Sequence, residues 1–248
     1  MTPASAERPT LLVFTLGAEA ECARRGLLPA SLRETELAIH RHCLERSVRA
    51  GLEAGCRVVV SSPRRIDVGV EADHLPQRGG SFGARLQAAV KEVGRRHRGP
   101  LILVGSDAPE LSATEISIAV DSLRRRPQTV VLGPARDGGF YLLAGHGPFD
   151  EELAAVDWCC SETTATLLAA LAASGRPVEL LGELGDLDRP ADLGHWLVGR
   201  RAQADPWRAL VDLVRRQLQQ LSRPLAPVRL GRELRYAAAP ARGRAPPH

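Results

Sequence analysis

The sequence predicts a doubly wound α/β protein with a mostly parallel sheet and a C-terminal helical extension. Short apolar runs alternate with longer amphipathic stretches over some 190 residues, the pattern of strands joined by crossover helices. The run Pro100 to Gly105 (PLILVG) is apolar throughout, as expected for a parallel strand covered on both faces. In such sheets ligands sit beyond the carboxyl ends of the strands, here just after Thr15, Ser61, Gly105 and Gly133.

The elements follow in order. Thr10 to Thr15 reads as a buried strand. Ser31 to Glu53 reads as a helix, with Ser31 and Glu34 spaced as a capping box. Arg57 to Ser61 is a strand, Ser81 to Arg96 a helix, and Pro100 to Gly105 a strand. Ser112 to Arg125 is a helix with a second capping pair, Ser112 and Glu115. Gln128 to Gly133 and Phe140 to Ala144 are strands. Ser161 to Ser174 is a helix, Pro177 to Leu181 a strand, and Pro190 to Arg200 a helix opened by its proline. Asp205 to Leu221 is one amphipathic helix, capped by Asp205 with Pro206 in its first turn. The predicted organisation is a flexible N-terminus (1–9), an α/β domain (10–200), a C-terminal helix (201–222) and a disordered Pro-, Ala- and Arg-rich tail (223–248).

Composition narrows the function. The net charge of +4 is carried almost wholly by arginine, with Lys91 the single lysine. Either base composition or attraction to phosphate-bearing ligands explains it. Dispersed basic residues and the lack of a helix-turn-helix, zinc-finger or aromatic RNA-binding pattern argue against nucleic acid. The five cysteines, Cys22, Cys43, Cys56, Cys159 and Cys160, include no Cys-x-x-Cys. Reduced thiols in a cytoplasmic protein fit best, and Cys159-Cys160 reads as half-buried packing. No signal peptide or membrane span is legible.

Five segments can carry chemistry. In GSDAPEL (105–111) a strand runs into Asp107, and Pro109 stops it; a carboxylate there suits Mg²⁺ or Mn²⁺, or else is a turn aspartate. GPARDGGFY (133–141) joins two strands, either as a plain hairpin or as a loop bringing Asp137 to a ligand. In GDLDRPADL (185–193), Asp188 either completes a metal site with Asp107 or serves the start of a helix. Arg24 and Arg25, in the loop predicted after the first strand, can hold a diphosphate or be solvated. QRGGSFGARL (77–86) enters a helix through a glycine-rich loop that can bind an anion, with Gln77 facing a base. The histidines show no ligand spacing. No P-loop or dinucleotide-binding glycine pattern follows the first strand.

LLVFT, CARRGLL, QRGGSFGARL, GSDAPEL, GPARDGGFYLL and GDLDRPADL together resemble a bacterial family. It is the GT-A-like glycosyltransferase family associated with radical-SAM/selenodomain proteins and arsenosugar biosynthesis. The resemblance spans roughly Thr10 to Arg200. It implies a GT-A (nucleotide-diphospho-sugar transferase) fold, a nucleoside-diphosphate sugar donor, a small-molecule acceptor and Mg²⁺ or Mn²⁺. It implies metal roles for Asp107 and Asp188, and substrate contact or base chemistry for Asp137. Arg24, Arg25, Gln77, Gly79, Arg85 and Ser106 are the residues expected around the nucleotide. The sequence departs from the family in the first loop, where Arg24-Arg25-Gly26 replaces Lys-Thr-Arg, and at Arg189 and Cys159-Cys160. Rival readings are a nucleotidyltransferase, guanylyltransferase-like and acting on a small phosphate, and a non-catalytic nucleotide-binding module. The last helix either packs on its own domain or forms a homodimer contact.

Overall fold

The computed structural model describes residues 7–147, 149–199 and 207–221. The flexible N-terminus expected for residues 1–6, the expected Asp205 cap and the tail 223–248 lie outside them.

Seven strands form one sheet in the order β3-β2-β1-β4-β6-β5-β7. β1 (Thr10–Phe14) lies between β2 (Arg57–Ser62) and β4 (Leu101–Val104), parallel to both. β3 (Asp73–Pro76) extends the β2 side. β6 (Phe140–Gly145) runs antiparallel between β4 and β5 (Val130–Pro134), and β7 (Val178–Leu180) closes the far edge parallel to β5. The chain first winds outward from β1 to β3, then returns to β4 on the other side. The strand order therefore reverses at the β1/β4 junction, and a crevice opens beyond the carboxyl ends of those strands.

The strand residues divide between the two faces as a period of two requires. Leu11, Val13, Ile102 and Val104 join one core, beneath α2 (Arg33–Glu53) and α4 (Ala113–Arg125). Leu12, Phe14, Leu101 and Leu103 join the other, beneath α3 (Phe82–Arg96), α5 (Asp150–Ala154) and α6 (Thr163–Ala173). Such double coverage is why these strands read as unbroken apolar runs.

The helix starts are mixed. Ser112 and Glu115 form the expected capping box on α4, and Pro190 sits in the first turn of α7 (Pro190–Val198). The Ser31/Glu34 box does not form. A 3₁₀ turn over Ala30–Leu32 precedes α2, whose first turn begins one residue too late for Ser31 to cap it. A larger correction concerns residues 18–25, read as loop. They form α1 (Ala18–Arg25), with Glu19 and Glu21 in its first turn, Arg24 and Arg25 in its last, and Gly26 at φ 61° ending it. Acid first, base last and a left-handed glycine stop suit the helix dipole and its terminus. The edge strand β3 and the five-residue α5 were also unforeseen.

The C-terminal helix α8 (Arg208–Leu221) packs on its own domain. Trp207, Val211 and Val214 are buried with Leu27, Leu28, Ile39, Leu187, Leu193 and Trp196. The Trp207 ring centroid lies 4.4 Å from that of His42 and 4.7 Å from that of Trp196. Truncating this ring leaves a void against α2 and α7. Trp207→Ala is expected to cost about 3 kcal/mol in a denaturant melt. Among the described residues no helix is long and apolar enough to cross a membrane.

Candidate functional site

The crevice at the β1/β4 junction is a cleft of about 1050 Å³. Its inner end is built by the residues that follow β1 and β4. Thr15, just beyond β1, accepts hydrogen bonds at Oγ1 from the Gly17 amide (3.0 Å) and the Ser106 hydroxyl (2.7 Å), tying the ends of β1 and β4 together. The Leu187 amide donates to the Asp107 carbonyl at 3.0 Å. On its other side the same segment pairs with the β5–β6 turn: Leu184 donates to Pro134 and accepts from Arg136. Residues 184–188 thus run as a strap between the β4 end and the turn that carries Asp137.

This strap brings three carboxylates together. Asp137, Asp186 and Asp188 each offer an oxygen, and the three oxygens lie within 4.8 Å of one another. Asp137 is fixed by its turn, its Oδ1 accepting from the Gly139 amide at 2.8 Å. Asp188 is released from helix capping because Asp192 does that work, accepting from the Asp188 and Arg189 amides at 3.2 and 2.8 Å. Burial, with Asp107 and Asp137 nearby, raises the Asp186 carboxyl to about 7. Crowded carboxylate oxygens of this kind suit a hard divalent cation, which takes oxygen ligands and lifts the mutual repulsion.

Asp107 lies close to that trio but is not one of it. Its Oδ2 accepts from Arg25 at 2.6 Å. The Arg25 side chain is 5% exposed and also meets Glu21 at 2.9 Å, the Leu187 carbonyl at 2.8 Å and the Asp188 carboxylate. Desolvation opposes its charge, but Asp107 and Glu21 outweigh that and hold Arg25 firmly protonated. Glu21 is correspondingly held below the usual carboxylate range: burial alone would raise it, and Arg25 with Arg24 reverses the sign.

The other expected residues divide. Ser106, Arg24 and Arg85 line the cleft; Arg24 is half-exposed and paired with Glu21 at 3.0 Å. Gln77 and Gly79 are not on the cleft wall. The Gln77 amide instead donates to the Thr15 and Ser61 carbonyls at 2.9 and 3.0 Å, bracing the ends of β1 and β2. Cys159 and Cys160, read as half-buried packing, are exposed at the cleft rim.

Sequence reasoning passed over two features. Asp186 was inside a segment singled out, and its spacing of two from Asp188 places both on one side of an extended strap. The second is an aromatic wall. Phe82 lies 5.5 Å from Phe14 and 5.4 Å from Trp158, and Phe140 lies 6.1 Å from Trp158, between ring centroids. Its members are far apart in sequence, and only helix α3 and the loop before α6 bring them together.

Comparison with known proteins agrees with this architecture. Residues 42–160 match a family described as an uncharacterized protein conserved in bacteria (DUF2064). No curated protein matches the sequence. Among solved structures, the chain is similar to one described as a candidate nucleotide-diphospho-sugar transferase from Desulfovibrio desulfuricans G20. The TM-score is 0.73 at 17% identity, covering 86% of this chain and 97% of that one. It is also similar to CMP:2-keto-3-deoxy-manno-octonic acid synthetase in complex with CTP, with a TM-score of 0.50 at 12% identity, covering 85% of this chain and 99% of that one. At these identities the likeness concerns the fold alone, a mostly parallel seven-stranded α/β sheet with flanking helices.

Proposed function

We propose that this protein is a metal-dependent glycosyltransferase that takes a nucleoside-diphosphate sugar and a small-molecule acceptor. The observation that carries the reading is the convergence of Asp137, Asp186 and Asp188 at one end of a 1050 Å³ cleft whose other surfaces are arginine-bearing and aromatic. The three carboxylates would hold Mg²⁺ or Mn²⁺. The bound ion would supply electrostatic stabilisation of the departing diphosphate.

The chain's own groups supply the rest. Arg24 offers a half-exposed guanidinium to phosphate oxygens. Arg85 lines the cleft with an Nε that has no hydrogen-bond acceptor among the described residues. Phe82 and Trp158 present ring faces on which a sugar or base can lie. Asp107 does not bind the ion in this account; it fixes Arg25, and Ser106 fixes the β1–β4 junction. Asp137, the most exposed of the three carboxylates, is the one placed to orient an acceptor hydroxyl.

Nucleotidyl transfer is the rival that shares this fold. Helix α1 counts against it, because it follows β1 where a glycine-rich loop would have to cradle a triphosphate. The assay is product analysis with Mn²⁺ across nucleoside-diphosphate sugars and nucleoside triphosphates. Release of nucleoside diphosphate from one sugar donor is expected. Pyrophosphate release from a triphosphate, with no sugar donor consumed, would overturn glycosyl transfer in favour of the rival.

A further inference from the structure

We propose that Arg25 is an internal counter-cation that competes with the divalent metal for Asp188, so that the empty cleft resists a free ion and accepts one readily only together with an anionic diphosphate. The inference rests on the proposal that the cleft takes a divalent cation, and gives Arg25 a positioning role in that process.

Three observations carry it. First, Arg25 is heavily engaged. Its guanidinium meets Glu21, Asp107, Asp188 and the Leu187 carbonyl with its side chain 5% exposed. All three of its nitrogens are occupied, and four of its five N–H donors are taken while those contacts last. Second, Asp188 is shared. It belongs to the carboxylate trio and touches Arg25, so the same group faces two cations. A carboxylate cannot give its full charge to both, and two cations this close repel. Third, Arg25 is held from behind. Leu27 and Leu28, immediately after α1, and Leu187, beside Asp188, lie in the core that α8 covers. Arg25 and the Asp188 backbone therefore cannot easily drift apart to relieve the conflict.

The consequence is coupled binding. A metal ion alone must share Asp188 with a fixed positive charge. A diphosphate arriving with the ion adds negative charge beside both cations and removes the penalty. Ion and diphosphate each raise the affinity for the other by the same factor, as linkage demands.

The test compares the wild type with Arg25→Met and Arg25→Lys. Free Mn²⁺ is counted by electron paramagnetic resonance, with and without a nucleoside diphosphate, at a temperature where melting curves show each variant folded. Arg25→Met is expected to bind Mn²⁺ alone at least about tenfold more tightly than the wild type, and to lose most of the enhancement that the diphosphate gives. Arg25→Lys keeps the charge but offers no planar fork to span Asp107 and Asp188. It is expected to fall between the two, and it serves if the methionine variant does not fold.

A wild type that binds Mn²⁺ beside variants that bind it no more tightly would overturn the competition and leave the metal site standing. Failure of both wild type and folded variants to bind Mn²⁺ would overturn the metal site, and the proposal with it. A diphosphate enhancement equal in all three proteins would overturn the coupling. A general loss of packing lowers metal affinity, so a gain in affinity separates competition from a structural defect.

Discussion

Asp186→Asn is expected to weaken Mn²⁺ binding by about 100-fold while raising the stability of the metal-free protein, two effects of opposite sign from one atom change. A structural carboxylate would lose stability when neutralised. Asp186 differs because its folded-state carboxyl is raised to about 7 by burial and by Asp107 and Asp137. The sign follows from linkage. The unfolded carboxyl titrates near 3.8, so folding favours its protonated form. Its contribution to stability is fully present below about pH 4 and is lost as the pH rises to about 7. At pH 8 the ionised group therefore opposes folding, and asparagine removes the repulsion. The gain should be roughly 2 kcal/mol, reduced from the full shift because water reaches part of the site. Paired urea melts and calorimetric Mn²⁺ titrations at pH 8 measure both effects. The same shift predicts that wild-type affinity for Mn²⁺ climbs with pH up to about 7 and then levels, since the ion must displace the proton. A variant less stable than the wild type, with metal affinity intact, would refute the site.

Gly138→Ala is the second change expected to be severe. Gly138 has φ 93°, and a Cβ there would lie 1.9 Å from the Ser161 carbonyl oxygen, which is backbone and cannot swing aside. The left-handed conformation adds about 1–2 kcal/mol for a residue with a side chain. Together these should cost about 3 kcal/mol or more. The damage would not stay local. The Gly138 carbonyl accepts from the Thr164 amide at 2.9 Å, so the Asp137 turn is stitched to the start of α6 and to the Cys159–Ser161 segment. Displacing that seam moves Asp137, and metal affinity should fall with stability. Gly175 is the control: its φ is 70°, but a Cβ there meets open space, so Gly175→Ala should cost only about 1 kcal/mol and leave the metal site untouched. Equal melting temperatures for the two variants would contradict the account of the seam.

Much of this arrangement was legible before the structure. LILV at residues 101–104 betrays itself as a doubly covered strand because no polar residue interrupts it, and that places Asp107 at a strand's carboxyl end. Pro190 and the Ser112/Glu115 pair mark helix starts by local chemistry alone. What local chemistry does not carry is which partners meet. Residues 105–107 read as a strand end; in the structure Asp107 faces Arg25, and the crowded trio forms where the strap 184–188 meets the turn that carries Asp137. That outcome depends on a parallel bridge between Ala135 and Leu184, a long-range pairing with no sequence signature. Arg24 and Arg25, expected in a loop where they could hold a diphosphate, both line the cleft from helix α1, and Arg25 is turned inward. Gln77 is a further case: its glycine-rich context suggested a ligand, and in the structure its amide nitrogen donates to the backbone at the ends of β1 and β2.

The Asp137–Asp186–Asp188 cleft is expected to hold a divalent metal together with a nucleoside diphosphate. The decisive measurement is calorimetric titration of the wild type with nucleoside diphosphates, with and without Mn²⁺. One diphosphate is expected to bind tightly only when Mn²⁺ is present, and Asp186→Asn is expected to abolish this dependence. Binding equally strong without the metal, or Mn²⁺-dependent binding unaltered in Asp186→Asn, would contradict it.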